Sequence, residues 1–388
     1  MTDALSQLRT QLAALPADLR ARLDEVGFTD EWLLGLAAPL AAGDLDPRTR
    51  RRLANQVSGS VRGPAPGEVL TLPSPGSPEA RRLTARGEAA LAQGEVAMTV
   101  LAGGMATRMG GLVKALVEPL PGHSFLALRL QENATLGRRA GRPVPLWLMT
   151  SEATAAPTEQ ALRALAAPAH VRTFQQGFGL RLTPQGTLFL DEHGQPSPYA
   201  TGHGDLVDAL RRSGLLDDFV AQGGRAVMLT NLDNLGATLD PLVIGLFLER
   251  GGPLLAEVVE VTGDRGGYPV HAEGRFQVLE EFRLPDGFDT ASLPVFSVNT
   301  FWVEAQPLAE VPIPWHWFEV EKKVGERTAI QFERLVQELT AVLPADYLQV
   351  PRRGGQSRFL PVKDWDELAR RQDEIRLVAE TRGMLPAS

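Results

Sequence analysis

A short apolar run that ends abruptly in glycines constrains this chain more than any other stretch. Glu95 to Leu101 carries Val96, Met98, Val100 and Leu101 without a breaker, which reads as a short buried strand. It runs straight into Leu101-Ala-Gly-Gly-Met-Ala-Thr-Arg-Met-Gly-Gly-Leu-Val-Lys114. Gly103 and Gly104 let main-chain N–H groups close on a ligand with no Cβ in the way. Arg108 and Lys114 supply charge for phosphate oxygens. A strand, a glycine loop and fixed cations suggest a nucleoside triphosphate cradle at the carboxyl end of a parallel sheet. The loop is neither a Walker A nor a dinucleotide fingerprint, since G-x-x-x-x-G-K-[ST] and G-x-G-x-x-G are both missing. A tight turn followed by surface cations is the alternative at this point.

Composition narrows the class. The 388 residues, 44% of them hydrophobic, suit one large α/β domain with additions at each end. A formal charge of -8 argues against a general nucleic-acid binder, although a local basic pocket is compatible with it. The absence of cysteine excludes disulfides, thiol nucleophiles and thiolate zinc sites. The first thirty residues lack a basic n-region followed by an apolar h-region, and no apolar run is long enough to span a bilayer. The expectation is a cytoplasmic protein with no membrane partner.

Four regions follow from the pattern along the chain. Leu5, Leu8, Leu12 and Leu15, then Trp32, Leu33, Leu36 and Leu40, recur at helical spacing, so residues 1–61 read as a helical N-terminal region. Residues 62–78 are rich in proline, glycine and serine and read as an extended connector. Residues 79–310 read as the core, opened by a helix from the Ser77-Pro78 cap to Gly94. Residues 311–388 read as a C-terminal segment, with a helix expected from Ala329 to Leu343 and another from Trp365 to Val378. Within the core, a helix opened by Ser124, a strand from Pro145 to Thr150 and a helix from Glu152 to Ala167 give the strand–helix alternation of a parallel sheet.

Several stretches carry polar residues at strand ends. Gln175 and Gln176 follow Phe174 and, alone, read as surface residues. Tyr199-Ala-Thr-Gly-His-Gly-Asp205 sets His203 between two glycines just before a helix, where an anion is favoured. After the apolar run Ala226 to Leu229 the chain turns polar at Asn231, Asp233 and Asn234; Asp233 there suits Mg²⁺, with an Asx turn as the plain alternative. Glu257 lies in the apolar strand Leu254 to Val261, and Asn299 in the strand Val295 to Val303. They either pair with each other or present donors and acceptors to a polyhydroxyl ligand such as a sugar.

In this order, the stretches resemble the UDP-glucose pyrophosphorylase (UTP–glucose-1-phosphate uridylyltransferase) family. The matching pieces are Leu101 to Lys114, Met149 to Ser151, Phe174 to Gln176, Gly202 to Asp205, Asn231 to Asp240, Gly266-Gly267, Asn299 to Trp302 and Arg358 to Lys363. The strongest are Asn-Leu-Asp-Asn-Leu-Gly-Ala and Ser-Arg-Phe-Leu-Pro-Val-Lys. The resemblance implies a Rossmann-like nucleotidyltransferase core with a mixed, mainly parallel sheet, and transfer of uridylyl from UTP to glucose-1-phosphate with Mg²⁺ as cofactor. It implies nucleotide contacts from Leu101, Gly103, Gly104, Thr107, Met149, Gln176 and Gly202. Arg108, Lys114 and Lys363 would meet the phosphates, and Asp233 would hold the metal. His203, Asn231, Glu257, Gly267 and Asn299 would meet the sugar phosphate.

The sequence departs from the family pattern in places. Ala106 stands for a glycine, Val113 for a proline, and the loop is one residue shorter before Lys114. Ser297 and Thr300 stand where the family has asparagines, which bears on sugar choice. The chain stops soon after Lys363, so assembly through the C-terminal β-helix of longer members is not expected. The alternatives are a pyrophosphorylase for N-acetylglucosamine-1-phosphate or another sugar-1-phosphate, and a non-catalytic sugar-nucleotide sensor on the same fold.

Overall fold

The computed structural model of the chain describes residues 2–385. An eight-stranded sheet forms its centre. In chain order its strands are β1 (Val69–Thr71), β2 (Val96–Leu101), β3 (Leu146–Thr150), β4 (Val171–Gln175), β5 (Ala226–Asn231), β6 (Leu254–Glu260), β7 (Val295–Glu304) and β8 (Ala345–Gln349). In space the order is β1-β8-β6-β7-β5-β2-β3-β4. All neighbours are parallel except β7, which runs antiparallel to both β6 and β5. This is the mixed, mainly parallel α/β sheet expected.

Helix ends follow local chemistry. Helix Pro78–Gln93 starts where Ser77 Oγ accepts from the Ala80 N–H at 3.1 Å and stops at Gly94, whose φ of 79° is left-handed. Helix Phe125–Ala140 opens the same way on Ser124. These helices bury one face on the sheet, joining the cluster of Leu91, Phe125, Leu128, Leu136, Val100 and Leu148.

Two differences from the sequence reading concern the chain ends. The connector and the C-terminal segment both enter the main sheet, as β1 and β8, with Val69 paired to Tyr347. The expected helix Ala329–Leu343 is a strand, Arg327–Glu333, in a hairpin with Phe318–Val324, followed only by short helical turns at Val336–Glu338 and Leu339–Val342. Thr328, Ile330 and Phe332 alternate and suit a pleated surface. Ile330 and Phe332 bury against the N-terminal helices, with Leu8, Leu12, Leu33, Phe178 and Leu180. Tertiary cover therefore decides the hairpin over any helical tendency.

Candidate active site

The register of the sheet brings the polar strand ends to one level. Leu101 at the end of β2 is the parallel partner of both Met149 on β3 and Asn231 on β5, and Thr150 is level with Gln175. The glycine loop, Ser151, Gln176 and Asp233 thus leave the same edge, where open α/β sheets place their ligands.

At the glycine loop, Ser151 Oγ donates to the Gly103 carbonyl at 2.9 Å. A Cβ on Gly103 would stand 2.8 Å from Gln176 Nε2, so only glycine lets that amide lie on the loop. Among the described residues the Gly103 and Gly104 N–H groups donate to no protein acceptor, as a phosphate cradle requires. Gly104, Thr107 and Arg108 are exposed. Leu101 is half-buried, and its carbonyl accepts from the Leu232 N–H at 3.3 Å. Met149 differs from expectation. It is 2% exposed and packs with Trp147 and Phe174, while its carbonyl accepts from the Ala102 N–H. Strand alternation points it into the core, so it supports the loop from below.

The Gly-His-Gly-Asp turn owes its shape to a crossing chain. A Cβ on Gly202, at φ 90°, would sit 2.5 Å from the Arg334 carbonyl, and one on Gly204 would sit 2.5 Å from the Leu335 nitrogen. Asp205 is buried, accepts from the Gly177 N–H and pairs with Arg334 and Arg212. It therefore staples Gln176–Gly177 to this turn. His203 Nδ1 accepts from the Val336 N–H at 3.1 Å, which leaves Nε2 to carry the proton and donate. Burial lowers the His203 pKa to about 4. It is a neutral donor at neutral pH rather than a cation.

Asp233, 8% exposed, sits just past β5. Its Oδ2 accepts from Lys114 Nζ at 2.6 Å and from the Val362 N–H at 3.3 Å. Its Oδ1 has no protein partner among the described residues. Lys363 follows Val362 directly and is exposed, with its charge felt at Asp264. The described residues hold no group of three or more acidic or histidine side chains that would make an all-protein metal cage. One carboxylate, with a cation already seated at it, fits Mg²⁺ held mainly by phosphate oxygens and water.

Further along the same edge, β7 bulges. Ala256 pairs with Phe301 but Val258 pairs with Ser297, so extra residues of β7 arch over Glu257. Asn299 lies in that arch at φ 54°, a left-handed conformation that asparagine tolerates, and its Nδ2 donates to Asn231 Oδ1 at 3.0 Å. Two polar residues here are turned into the protein. Glu257 is fully buried, binding Arg358 Nε at 2.7 Å and Nη2 at 2.5 Å and accepting from Trp302 Nε1 at 2.8 Å. A carboxylate sealed within the sheet needs a charged partner, and Glu257 is committed to Arg358 and Trp302 rather than free for a ligand, unlike the sequence expectation. Thr300 is likewise buried, 3.0 Å from Thr230 Oγ1.

The sequence reading missed Glu280. It is the strand partner of Gly267 in the hairpin Gly267–Ala272 with Arg275–Glu280. A Cβ on Gly267 would meet Glu280 Oε1 at 3.4 Å and Ser297 Cβ at 3.6 Å, so these three share one wall. Gln337 Nε2 donates to Oε1 at 2.5 Å, and burial raises the Glu280 pKa to about 7. The signal available was a carboxylate at a strand end opposite a double glycine.

Comparisons with known proteins identify the family. The pattern of the family described as UTP–glucose-1-phosphate uridylyltransferase matches residues 73–382. A UTP–glucose-1-phosphate uridylyltransferase of Saccharomyces cerevisiae is 30% identical over 292 residues, covering 71% of this chain and 58% of that protein. One of Hordeum vulgare is 29% identical over 299 residues, covering 71% and 61%. The chain thus spans less than two thirds of the length of these relatives. A UDP-glucose phosphorylase of Trypanosoma brucei superposes with a TM-score of 0.71 at 20% identity, over 95% of this chain and 78% of that one. A uridine diphosphate N-acetylglucosamine pyrophosphorylase of the same organism gives 0.71 at 19%, over 93% and 84%. With the pattern spanning most of the chain, and the glycine loop, Gln176, Asp233 and Asn299 gathered at one sheet edge, this chain belongs to the UTP–glucose-1-phosphate uridylyltransferase family.

Proposed function

We propose that this protein transfers the uridylyl group of UTP to glucose-1-phosphate, giving UDP-glucose and pyrophosphate. The observation that carries the reading is the convergence of Lys114, Asp233 and the Val362–Lys363 main chain at the edge where Gly103 and Gly104 offer free N–H groups. The phosphate oxygen of the sugar attacks the α-phosphorus of UTP in line, one P–O bond forms, and the bond to pyrophosphate breaks. The nucleophile is already ionised, so no general base is required. Both reactants are anions, and the task is to align them and offset their charge.

This chain supplies those functions from separate elements. Gln176, held by Gly103 and by the Asp205 staple, presents its amide to the base edge, with Gly202 beside it. The glycine loop with Thr107 cradles the phosphates, and Arg108, Lys114 and Lys363 offset their charge. Neutral His203 donates from Nε2 to the sugar phosphate. Asn231, Asn299 and Glu280 offer fixed donors and acceptors to hexose hydroxyls beside Gly267. Asp233 would hold Mg²⁺, which when bound supplies charge neutralisation at the α-phosphate.

The test is product identification by mass spectrometry after incubation with UTP, glucose-1-phosphate and MgCl₂. UDP-glucose is expected. A product formed only with another sugar-1-phosphate reassigns the acceptor, and no nucleotide sugar from any acceptor refutes the reading.

A further inference from the structure

Nothing in the chemistry above explains Asn234, which is 1% exposed and adjoins Asp233. Its side-chain amide is spent entirely on the main chain of the segment that carries Lys363. Nδ2 donates to the Arg358 carbonyl at 3.1 Å, and Oδ1 accepts from the Leu360 N–H at 2.8 Å. The next hydrogen bond along is Val362 N–H to Asp233 Oδ2. Three consecutive inward-facing main-chain groups, at 358, 360 and 362, are therefore fixed by two adjacent side chains of one loop.

The loop itself is held still. Arg129, buried in full, donates to the Asn234 carbonyl at 3.0 Å and the Ala237 carbonyl at 2.9 Å. A Cβ on Gly236 would stand 2.6 Å from the Ser357 carbonyl, so the segment lies directly on the loop. Below it, the Arg358 guanidinium is locked by both Glu257 oxygens and donates to the Thr238 carbonyl at 3.0 Å. Beyond Lys363, the Lys363 N–H donates to Glu367 Oε2 at 2.8 Å. Lys363 is thus an exposed cation on a main chain fixed on both sides.

We infer that Asn234 is a positioning residue for Lys363: it ties the phosphate-reaching lysine to the Asp233 carboxylate in one rigid unit, with Arg358 and Glu257 as its foundation. The inference rests on the uridylyltransferase reading. A displacement of about 1 Å in a charge-stabilising group can cost about a hundredfold in rate. Loss of the amide unties the main chain at 358 and 360, so the placement of Lys363 then rests on the 3.3 Å Val362–Asp233 bond and the Glu367 contact.

The experiment is a double-mutant cycle with Asn234→Ala and Lys363→Ala, read as pyrophosphate release at saturating substrates. Asn234→Ala is expected to lower kcat about ten- to a hundredfold, with KM for UTP changed by less than about threefold. In the Lys363→Ala background it is expected to add less than about twofold, since its effect runs through a group already removed. An additive effect, or an unchanged kcat in the single variant, overturns the inference. Asn234→Asp provides the second variant, because it keeps the acceptor for Leu360 N–H and replaces the donor to Arg358 by a carboxylate oxygen that repels that carbonyl. Hydrogen exchange of residues 357–363 reads the tether without activity: it is expected to rise in both Asn234 variants, and no rise refutes the tether. Inactivity of the wild type would fail the uridylyltransferase reading and leave the exchange result standing.

Discussion

Lys114 Nζ lies 2.6 Å from Asp233 Oδ2, so a cation and a carboxylate from loops 119 residues apart neutralise each other at the edge of the sheet. Both side chains are largely covered, at 23% and 11% exposure, which strengthens their attraction relative to a surface pair. Asp233 would hold Mg²⁺, and Lys114 sits close enough to that carboxylate to offset charge at the same place.

Lys114→Met and Asp233→Asn are each expected to lower kcat by about 10²- to 10³-fold, the range for loss of one preorganised charge-stabilising group. Circular dichroism is expected to stay native in both. Removal of divalent metal with EDTA should abolish pyrophosphate release, and MgCl₂ should restore it. Near-normal turnover in either variant would remove that residue from the chemistry.

Gln176 and Gly103 form a second testable pair. Gln176→Ala is expected to reduce the preference for UTP over CTP by about 10-fold or more, since a site built around a polar edge discriminates strongly through it. Gly103→Ala should act the same way, because its new methyl would meet Gln176 Nε2 at 2.8 Å. Measured kcat/KM ratios for the two nucleotides decide it, and unchanged ratios would contradict the base-reading role.

Glu257 should behave as a structural residue. Glu257→Ala leaves the Arg358 guanidinium buried without its partner, at a cost of about 3–5 kcal/mol for a broken buried pair. Thermal denaturation should show a large loss of Tm. The ratio of activities on glucose-1-phosphate and other sugar-1-phosphates should not change. A shifted sugar preference in a stably folded variant would return Glu257 to the sugar site.

His203 and Glu280 predict opposite pH effects on stability. Burial lowers the His203 pKa from 6.5 to about 4, so its contribution is full above 6.5 and is lost as pH falls towards 4. Burial raises the Glu280 pKa from 4.5 to about 7, so its contribution is full below 4.5 and is lost as pH rises through 7. His203→Gln should flatten the acid side of a Tm–pH curve, and Glu280→Gln the side between pH 4.5 and 7. Curves parallel to wild type would contradict the burial argument for that residue.

Much of the sheet edge was readable because strand ends announce themselves. Ala226–Asn231 turns from apolar to Asn-Leu-Asp-Asn within a few residues, and Val96–Leu101 runs into glycines. The role of Glu257 was not readable, because its partner Arg358 is 101 residues away and nothing local marks the pair. Glu280 was overlooked beside Glu281, where two acids in a row look like a solvated turn; only its pairing with Gly267 brings it onto the wall shared with Ser297. The strand Arg327–Glu333 was misread as helix because Phe332, Leu335, Val336 and Leu339 recur at the i, i+3, i+4, i+7 spacing of a helical face. Its cover comes from residues near the N-terminus, Leu8 and Leu12 among them.

The most direct measurement is pyrophosphate release with MgCl₂, testing UTP and other nucleoside triphosphates against a panel of sugar-1-phosphates. Release that requires UTP together with glucose-1-phosphate, and falls at least about a hundredfold in Lys363→Ala, is the predicted result. Saturable UTP binding with no release from any pair would contradict the account and identify the protein as a nucleotide-binding relative without transferase chemistry.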